Sequence, residues 1–226
     1  MQAIILAAGK GTRMRDLVND KPKHLLEVGG MPILKHTISV LPKEVSSVVV
    51  VIGYLGEKIK EVLGDNFDGV EIKYVDQKEL LGTAYAVWLA RPLIKEKRFI
   101  VLGGDDWYGA DDLERCVREE LAIGVFRMKG PTPSAVRLKE DGYFDGLETE
   151  ITGRQADQSY KATGVYVLDK EIFDYEPVKI GNGETGLPQT IALMARSRKV
   201  KAVEMPRWRQ VNTPEDLEAL RREFEG

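Results

Sequence analysis

Short apolar runs alternate with segments of helical spacing through the first half of the chain. The apolar runs are rich in β-branched and aliphatic side chains, and their length is typical of buried strands. They are residues 3–8, 47–52, 70–75 and 98–102. The segments with helical spacing are residues 32–41, 55–63 and 83–94. This βαβ alternation predicts a mostly parallel sheet with helices on both faces.

The pattern changes after about residue 124. Residues 135–138 and 143–147 flank Glu140-Asp141-Gly142, a turn signal between alternating segments, and this predicts an antiparallel hairpin. A further strand, helix and strand are predicted at residues 165–168, 187–195 and 201–204. The expected fold class is therefore α/β: a Rossmann-like three-layer α/β/α arrangement with a mostly parallel sheet and an inserted antiparallel hairpin subregion.

The last predicted helix has the clearest start signal. Thr213 is a capping residue, Pro214 suits the first turn, and the acidic residues Glu215 and Asp216 complement the helix dipole. The sequence shows no internal repeat, low-complexity tract or linker. We therefore expect one domain over residues 1–226.

The composition argues against several classes of protein. Lys and Arg total 33 against 36 for Asp and Glu, and the formal charge of -3 gives no overall attraction to nucleic acid or to an anionic membrane. Because we find neither a signal segment nor an apolar run of membrane-spanning length, we expect a cytoplasmic protein. Cys116 is the only cysteine, which excludes a disulfide within the chain, and its apolar neighbours favour a buried side chain.

The first predicted strand ends in a glycine-rich segment with the sequence Leu6-Ala7-Ala8-Gly9-Lys10-Gly11-Thr12-Arg13-Met14. Its glycines allow backbone amides to approach a ligand, and Lys10 and Arg13 add positive charge, which is the chemistry of a polyphosphate cradle. The Walker pattern does not fit, and neither does the dinucleotide fingerprint, which needs a glycine where Met14 stands. An ordinary glycine turn with solvated cations is the alternative.

Two charged segments are candidate parts of a binding site. Asp105 and Asp106 follow the predicted strand at residues 98–102, and ligands bind at this end of the strands in open α/β sheets. Their oxygens suit Mg²⁺, although an acidic turn is the alternative. Lys23 follows Pro22 on a constrained loop, and these residues alone leave a phosphate clamp and an ordinary surface lysine equally open.

A third segment offers groups suited to reading a nucleotide base. Gln77 has both a donor and an acceptor, which reading a pyrimidine edge requires. Gly82 and Thr83 open a predicted helix whose backbone amides can face a ligand. A polar loop glutamine is the alternative interpretation.

These segments occur in the order seen in one known family. Residues 6–14 resemble its signature loop, and the second signature is resembled by Lys21-Pro22-Lys23-His24-Leu25-Leu26 with Gly30-Met31-Pro32-Ile33. Its base-reading segment is resembled by Gln77 with Leu81-Gly82-Thr83-Ala84. Gly104-Asp105 and residues 208–217 complete the set. The family is that of the sugar-phosphate nucleotidyltransferases, which make nucleotide sugars and related activated alcohols.

The resemblance implies a reaction and a division of the chain. A nucleoside triphosphate would react with a sugar 1-phosphate to give a nucleotide sugar and pyrophosphate, with Mg²⁺ as the cofactor. The nucleotide-binding part would cover about residues 1–124 and the acceptor-binding part about residues 125–226. Relatives that use UTP usually carry the pattern of Gln77-x-x-x-Leu81-Gly82-Thr83, so the resemblance favours uridine, with thymidine and cytidine next.

The resemblance also assigns roles to individual residues. Catalysis would fall to Arg13, Lys23 and Asp105. The expected nucleotide contacts are Leu6, Ala7, Ala8, Gly9, Lys10, Gly11, Thr12, Arg13, Gln77, Gly82 and Thr83. The expected acceptor contacts are Gly104, Glu148, Thr163, Gly164 and Glu184. Asp105 and Asn212 are expected to hold the metal ion.

The chain departs from the family pattern at two places. Many relatives carry an aspartate two residues after the tryptophan equivalent to Trp208, and this chain has Gln210 there. Some relatives use an asparagine as the second metal ligand, and Asn212 lies where it would fall, so Asn212 is preferred and Gln210 is the alternative. Ala162 stands where relatives often carry an asparagine that touches the sugar, so the acceptor site is expected to differ from the usual one.

The implied reaction needs no protein base. A phosphomonoester is already an anion near neutral pH, and the only histidines, His24 and His36, form no Ser-His-Asp pattern. The expected partners are a nucleoside triphosphate and a phosphorylated small-molecule acceptor, with neither nucleic acid nor membrane, and a homo-oligomer stays open.

Three other activities are alternatives to this reading. One is a cytidylyltransferase for phosphocholine or a polyol phosphate, and another is a non-catalytic regulatory subunit that binds a nucleotide sugar. A nicotinamide-dependent dehydrogenase is remote, since the last glycine of its fingerprint is missing.

Overall fold

The computed structural model describes residues 1–128, 134–149, 159–181 and 183–224. The strands are β1 (Gln2–Ala7), β2 (Glu27–Val28), β3 (Met31–Pro32), β4 (Ser47–Ile52), β5 (Asn66–Phe67), β6 (Val70–Asp76), β7 (Arg98–Gly103), β8 (Ala122–Arg127), β9 (Ser134–Leu138), β10 (Phe144–Thr149), β11 (Tyr160–Asp169), β12 (Val178–Lys179), β13 (Thr185–Gly186) and β14 (Lys201–Glu204). The α-helices are α1 (Ile33–Ser39), α2 (Gly56–Leu63), α3 (Thr83–Ala90), α4 (Ala110–Arg118), α5 (Leu187–Met194) and α6 (Pro214–Phe224). Short 3₁₀ segments cover Thr12–Val18, Lys23–Leu25, Arg91–Leu93 and Lys170–Asp174.

One large mixed sheet organises the described residues. Its strand order is β10-β9-β11-β7-β1-β4-β6-β5, with β8 paired to β11 and β14 paired to β8. The central strands β7, β1, β4 and β6 are mutually parallel, and β11 runs antiparallel to β7. The predicted parallel centre is therefore confirmed. The carboxyl ends of β1 and β7 lie side by side, with Leu6 opposite Gly103.

Alternation along β1 produces the three layers. Ala3 and Ile5 belong to a buried cluster that includes residues of α1, α2 and α4. Ile4 belongs to a second cluster that includes residues of α3 and α5. Because successive side chains of a strand point to opposite faces, the sheet is covered by helices on both sides, as the sequence predicted.

The C-terminal helix packs against the beginning of the chain. Met14, Ile33 and Leu217 lie in a third buried cluster, together with Val211 just before α6. The predicted helix cap is confirmed, because Thr213 Oγ1 accepts a hydrogen bond from Asp216 N over 3.2 Å. The segment before α6 is thereby fixed close to the glycine-rich loop.

The predicted hairpin is also confirmed. β9 and β10 pair antiparallel, with Phe144 opposite Leu138 and a register shift between Phe144 and Gly146. The sequence analysis missed β8, an apolar strand that lies where the pairing changes from parallel to antiparallel. It also contains Gly124, where a Cβ would lie 2.5 Å from Thr163 Oγ1.

The structure also shows the surroundings of the single cysteine. Cys116 is buried on α4, and burial raises the pKa of its thiol to about 12. Over the part of the chain that the structure describes, no helix combines the length and the apolar character needed to cross a membrane.

Candidate active site

A cavity of about 370 Å³ opens where β1 and β7 end. Three of the segments predicted from the sequence contribute to its wall. The end of β1 and the following loop provide Leu6, Ala8 and Gly9, the end of β7 provides Gly103, Asp105 and Asp106, and the segment after β6 provides Gln77, Gly82 and Thr83. The structure therefore brings the glycine-rich loop, the acidic pair and the base-reading segment together in one place.

The glycine-rich loop packs on the aliphatic stem of Lys23. Gly11 has a φ of +64°, and a Cβ at this position would lie 3.0 Å from the Cβ of Lys23. Only glycine suits this combination of backbone conformation and close approach. Lys10, Thr12 and Arg13 are exposed, and within the described ranges neither cation takes part in an ion pair. Their charges are thus available to a ligand.

Lys23, Asp105 and Asn212 converge on one point. Lys23 Nζ donates to Asp105 Oδ2 over 2.8 Å and to Asn212 Oδ1 over 3.0 Å. The side chain of Lys23 is only 4% exposed, so it is not an ordinary surface lysine. Burial acts to raise the pKa of Asp105, but the Lys23 ammonium leads the opposing effects and the pKa is lowered. The two oxygens expected to hold a metal ion therefore already face a common cation.

Asp106 braces the segment that carries Asn212. Its Oδ1 accepts a hydrogen bond from Val211 N over 3.0 Å, and its Oδ2 accepts one from Trp208 Nε1 over 3.1 Å. Burial, followed by the charge of the adjacent Asp105, raises the pKa of Asp106 to about 7. Asp106 therefore holds in place the segment that carries Asn212.

The amides of Gln210 and Asn212 face different partners. Asp216 Oδ2 accepts hydrogen bonds from Asn212 N and Thr213 N, over 2.8 and 2.9 Å, which fixes the backbone of this turn. The side chain of Asn212 then meets Lys23, whereas Gln210 Oε1 accepts a hydrogen bond from Lys161 Nζ. Asn212 therefore lies beside Asp105, and its assignment to the metal stays a prediction.

The base-reading segment is held in place by the chain before α5. Gly82 has a φ of +99°, and a Cβ at this position would overlap the Thr185 carbonyl group. Thr185 N donates to Leu81 O over 2.7 Å, and Tyr85 N donates to Thr185 Oγ1 over 3.0 Å. Gln77 is buried, and its Nε2 lies 3.4 Å from Gly82 O. The backbone of this segment therefore sets the orientation of the Gln77 amide.

Of the predicted acceptor residues, Gly164 and Glu184 line the cavity. Gly104 does not, because it packs inward: its N donates to Leu6 O over 2.9 Å, and a Cβ there would lie 3.1 Å from that oxygen. The preceding residue, Gly103, faces the cavity instead.

The side chains of Thr163 and Glu148 are engaged away from the cavity. Thr163 is buried, and its Oγ1 donates to Met205 Sδ over 3.0 Å. Glu148 Oε1 lies 3.6 Å from Arg137 Nη1 in an ion pair. Thr163 therefore has only its backbone to offer an acceptor, and Glu148 would first have to leave Arg137.

The two histidines lie in different surroundings. His24 lines the cavity, and burial lowers its pKa to about 4, so the ring is neutral near pH 7. Its Nδ1 has no hydrogen-bond partner in the described part of the chain. His36 is packed, with its ring stacked on Trp107 and its Nε2 3.0 Å from Tyr108 O. His24 is therefore a neutral ring at the cavity, whereas His36 is held by packing.

Besides the cavity-lining residues Leu80, Ala86, Gly103 and Tyr166, sequence reasoning missed a charged residue near the site, Lys161. It lies on β11, its Nζ donates to Gln210, and the same atom lies 5.7 Å from the centre of the Trp208 ring. No motif marks a single lysine at the start of a strand. The only usable signal was the unusual Gln210, and its connection to Lys161 becomes visible only in three dimensions.

The fold and the site together define an α/β protein in which a glycine-rich loop and a buried lysine lie at the carboxyl ends of parallel strands, where folds of this class bind their ligands. Residues 2–124 match the family model described as nucleotidyl transferase. The chain belongs to the nucleotidyl transferase family.

Two curated relatives show how far the similarity extends. The chain is 31% identical over 220 residues to the bifunctional protein GlmU of Methanocaldococcus jannaschii, covering 96% of this chain and 52% of that protein. It is 34% identical over 228 residues to the UTP–glucose-1-phosphate uridylyltransferase AglF of Haloferax volcanii, covering 96% of this chain and 93% of that protein. The chain thus spans about half the length of GlmU and nearly all of AglF.

Two solved structures share the fold. The inositol-1-phosphate CTP transferase of T. maritima superimposes with a TM-score of 0.78 at 24% identity, covering 99% of this chain and 96% of that one. A candidate glucose-1-phosphate thymidylyltransferase of Bacillus anthracis, solved with a sucrose, gives a TM-score of 0.85 at 23% identity, covering 99% and 95%. At these identities the similarity establishes the architecture.

Proposed function

We propose that this protein is a Mg²⁺-dependent nucleotidyltransferase that joins UTP to a sugar 1-phosphate and releases pyrophosphate. The observation that carries the proposal is the convergence of Lys23, Asp105 and Asn212 beside the glycine-rich loop. The name of AglF states a uridylyltransferase acting on glucose 1-phosphate, and this relative supports the same class of reaction here.

The oxygens of the site fit a hard divalent cation. Asp105 Oδ2 and Asn212 Oδ1 already lie within 2.8 and 3.0 Å of one positively charged atom. Mg²⁺ prefers oxygen ligands and is commonly held by one or two protein groups together with substrate phosphates. Asp105 and Asn212 would therefore hold the ion, which when bound neutralises phosphate charge in the transition state.

The residues of the chain would act by alignment and charge neutralisation. An oxygen of the acceptor phosphate attacks the α-phosphorus, the bond from that phosphorus to the bridging oxygen of the β-phosphate breaks, and pyrophosphate leaves with the electron pair. No proton has to move, since the acceptor is already an anion. The exposed cations Lys10 and Arg13 would hold the triphosphate, and the buried Lys23 would bridge phosphates at the reacting centre.

The preference for uridine rests on the base-reading segment. Gln77 is held by Gly82 O, so its amide is presented in a fixed orientation to a base in the cavity. An amide supplies both a donor and an acceptor, which matches a pyrimidine edge. Discrimination of this kind is strong when it relies on oriented hydrogen bonds.

The proposal is tested by a pyrophosphate-release assay that crosses UTP, dTTP, CTP, GTP and ATP with glucose 1-phosphate, N-acetylglucosamine 1-phosphate, inositol 1-phosphate and phosphocholine. UTP with a sugar 1-phosphate should be fastest, and EDTA should abolish turnover. A preference for CTP with inositol 1-phosphate or phosphocholine would instead establish the cytidylyltransferase alternative. Tight binding of UDP-glucose without any turnover would establish the regulatory alternative.

Substitution of Lys23 tests whether its charge contributes to turnover. Lys23→Met retains most of the stem beneath Gly11 but removes the charge, and we expect turnover to fall by at least about a hundredfold because transition-state charge is lost. The matched control is Lys73→Met, since Lys73 is 46% exposed on β6 and pairs with Glu71. Thermal unfolding of both variants should show that they are folded at the assay temperature. Turnover of Lys23→Met equal to that of Lys73→Met would remove Lys23 from the chemistry.

A further inference from the structure

We propose that Lys161 binds the phosphate group of the acceptor. The inference rests on the proposed function for the identity of the ligand, an acceptor phosphate of a nucleotidyl-transfer reaction. It adds to that function a substrate-binding residue on β11.

Lys161 is held close to the reacting centre by neutral groups. Its Nζ donates to Gln210 Oε1 and lies 5.7 Å from the centre of the Trp208 ring. Trp208 in turn donates to Asp106, the direct neighbour of Asp105. This chain of contacts fixes a half-buried ammonium beside the acidic pair, although neither of its nearest partners carries a charge.

The positive charge of Lys161 is not neutralised by an ion pair. Among the ion pairs of the described residues none includes Lys161, and the same holds for Arg13. Burial lowers the pKa of Lys161, and the charge of Arg13 acts in the same direction, whereas the charges of Asp106 and Asp216 oppose the shift only in part. A bound anion would offset the cost of keeping this ammonium partly buried without a carboxylate, so the site favours a phosphate ligand.

The position of Lys161 favours the acceptor phosphate over the triphosphate. It lies on β11, the strand whose Gly164 lines the cavity, and its partner Gln210 precedes the turn that carries Asn212. The triphosphate cations Lys10 and Arg13 lie instead on the loop after β1. The cation proposed for the acceptor phosphate and those proposed for the triphosphate therefore belong to different elements of the fold, as expected when one phosphate group has to meet the other.

The test compares two uridine nucleotides that differ by the acceptor phosphate and its sugar. Binding of UMP and of UDP-glucose is measured by calorimetry for the parent and for two variants. Lys161→Met keeps an unbranched side chain but removes the charge, and Lys161→Arg keeps the charge. Loss of a charged hydrogen bond should weaken UDP-glucose binding by about tenfold to a hundredfold, and UMP binding should change by less than about twofold. Lys161→Arg should retain most of the affinity for UDP-glucose. Lys73→Met is the control and should bind both nucleotides as the parent does.

A second variant tests the same charge without removing the lysine. Gln210→Glu would give Lys161 a carboxylate partner, so the affinity for UDP-glucose should fall while that for UMP stays within about twofold. Unchanged affinity of Gln210→Glu or Lys161→Met for UDP-glucose overturns the inference, and so does an equal loss for both nucleotides. It is also overturned if the parent binds UDP-glucose no more tightly than UMP.

The binding readout separates this inference from the proposed function. If the parent shows no turnover but Lys161→Met selectively loses affinity for UDP-glucose, the phosphate subsite is supported and the transferase function is refuted. If the parent catalyses the reaction and Lys161→Met keeps its affinity for both nucleotides, the function is supported and the role of Lys161 is refuted.

Discussion

Replacing Gly82 with alanine should both destabilise the protein and weaken nucleotide binding. Gly82 has φ 99° and ψ 179°, a region that residues with a side chain occupy at a cost of about 1–3 kcal/mol. The new Cβ would lie 2.5 Å from Thr185 N and would overlap the carbonyl group of that residue, so the bond from Thr185 N to Leu81 O has to break. Loss of one or two such hydrogen bonds adds about 0.5–1.5 kcal/mol each.

The total predicted for Gly82→Ala is about 1.5–6 kcal/mol, which for a chain of this size corresponds to a fall in Tm of about 3–24 °C. Gly69→Ala is the matched control: Gly69 has a φ of +82°, but nothing lies within 4 Å of a Cβ there, so only the backbone cost of about 1–2 kcal/mol applies. Thermal unfolding gives the stabilities, and KM for UTP should rise about tenfold in Gly82→Ala alone, since Gln77 loses its fixed partner. Equal Tm values for the two variants would refute the argument that Thr185 blocks this position.

The remaining predictions concern the turn before α6. Asp105→Ala should nearly abolish turnover, because a carboxylate is the stronger Mg²⁺ ligand. Asn212→Ala should raise the Mg²⁺ concentration needed for half-maximal activity. Gln210→Ala should leave that concentration almost unchanged, because Gln210 faces Lys161. If a Mg²⁺ titration shows that this concentration rises in Gln210→Ala but not in Asn212→Ala, then Gln210 rather than Asn212 is the second metal ligand. Thr213→Ala should cost about 1 kcal/mol of stability by removing the cap of α6, and Thr213→Ser should restore it in denaturant unfolding.

The central sheet was predictable because its strands are buried on both faces and therefore form continuous apolar runs. β1, β4, β6 and β7 lie within two residues of their predicted ends, and the helices between them follow the expected order. The segment at β8 has the same apolar character, but it contains a glycine and lies where the pattern changes from parallel to antiparallel pairing. Sequence alone gave no reason to place a strand there rather than a loop.

The site was predictable where function requires particular residue types and not where it depends on local geometry. The resemblance to the family pattern assigned roles to Lys23 and Asp105, and the structure brings their side chains within 2.8 Å of each other. Thr163 was placed at the acceptor, but a register shift in β11 between Ala162 and Tyr166 accompanies a side chain turned toward Met205. A register shift determines the face of the sheet to which a side chain points, and no sequence motif here predicts it.

The docking of α6 makes the integrity of the site depend on two distant parts of the chain. Asn212 reaches Lys23 across 189 positions of sequence, and both are kept in place by the cluster that Met14 and Leu217 share. Whenever α6 opens locally, Asn212 withdraws while the glycine-rich loop can remain folded. A substrate that engages both Lys23 and Asn212 would raise the free energy of that opening by mass action. Substrate binding would therefore make local opening of α6 rarer, although α6 itself contributes none of the proposed substrate contacts.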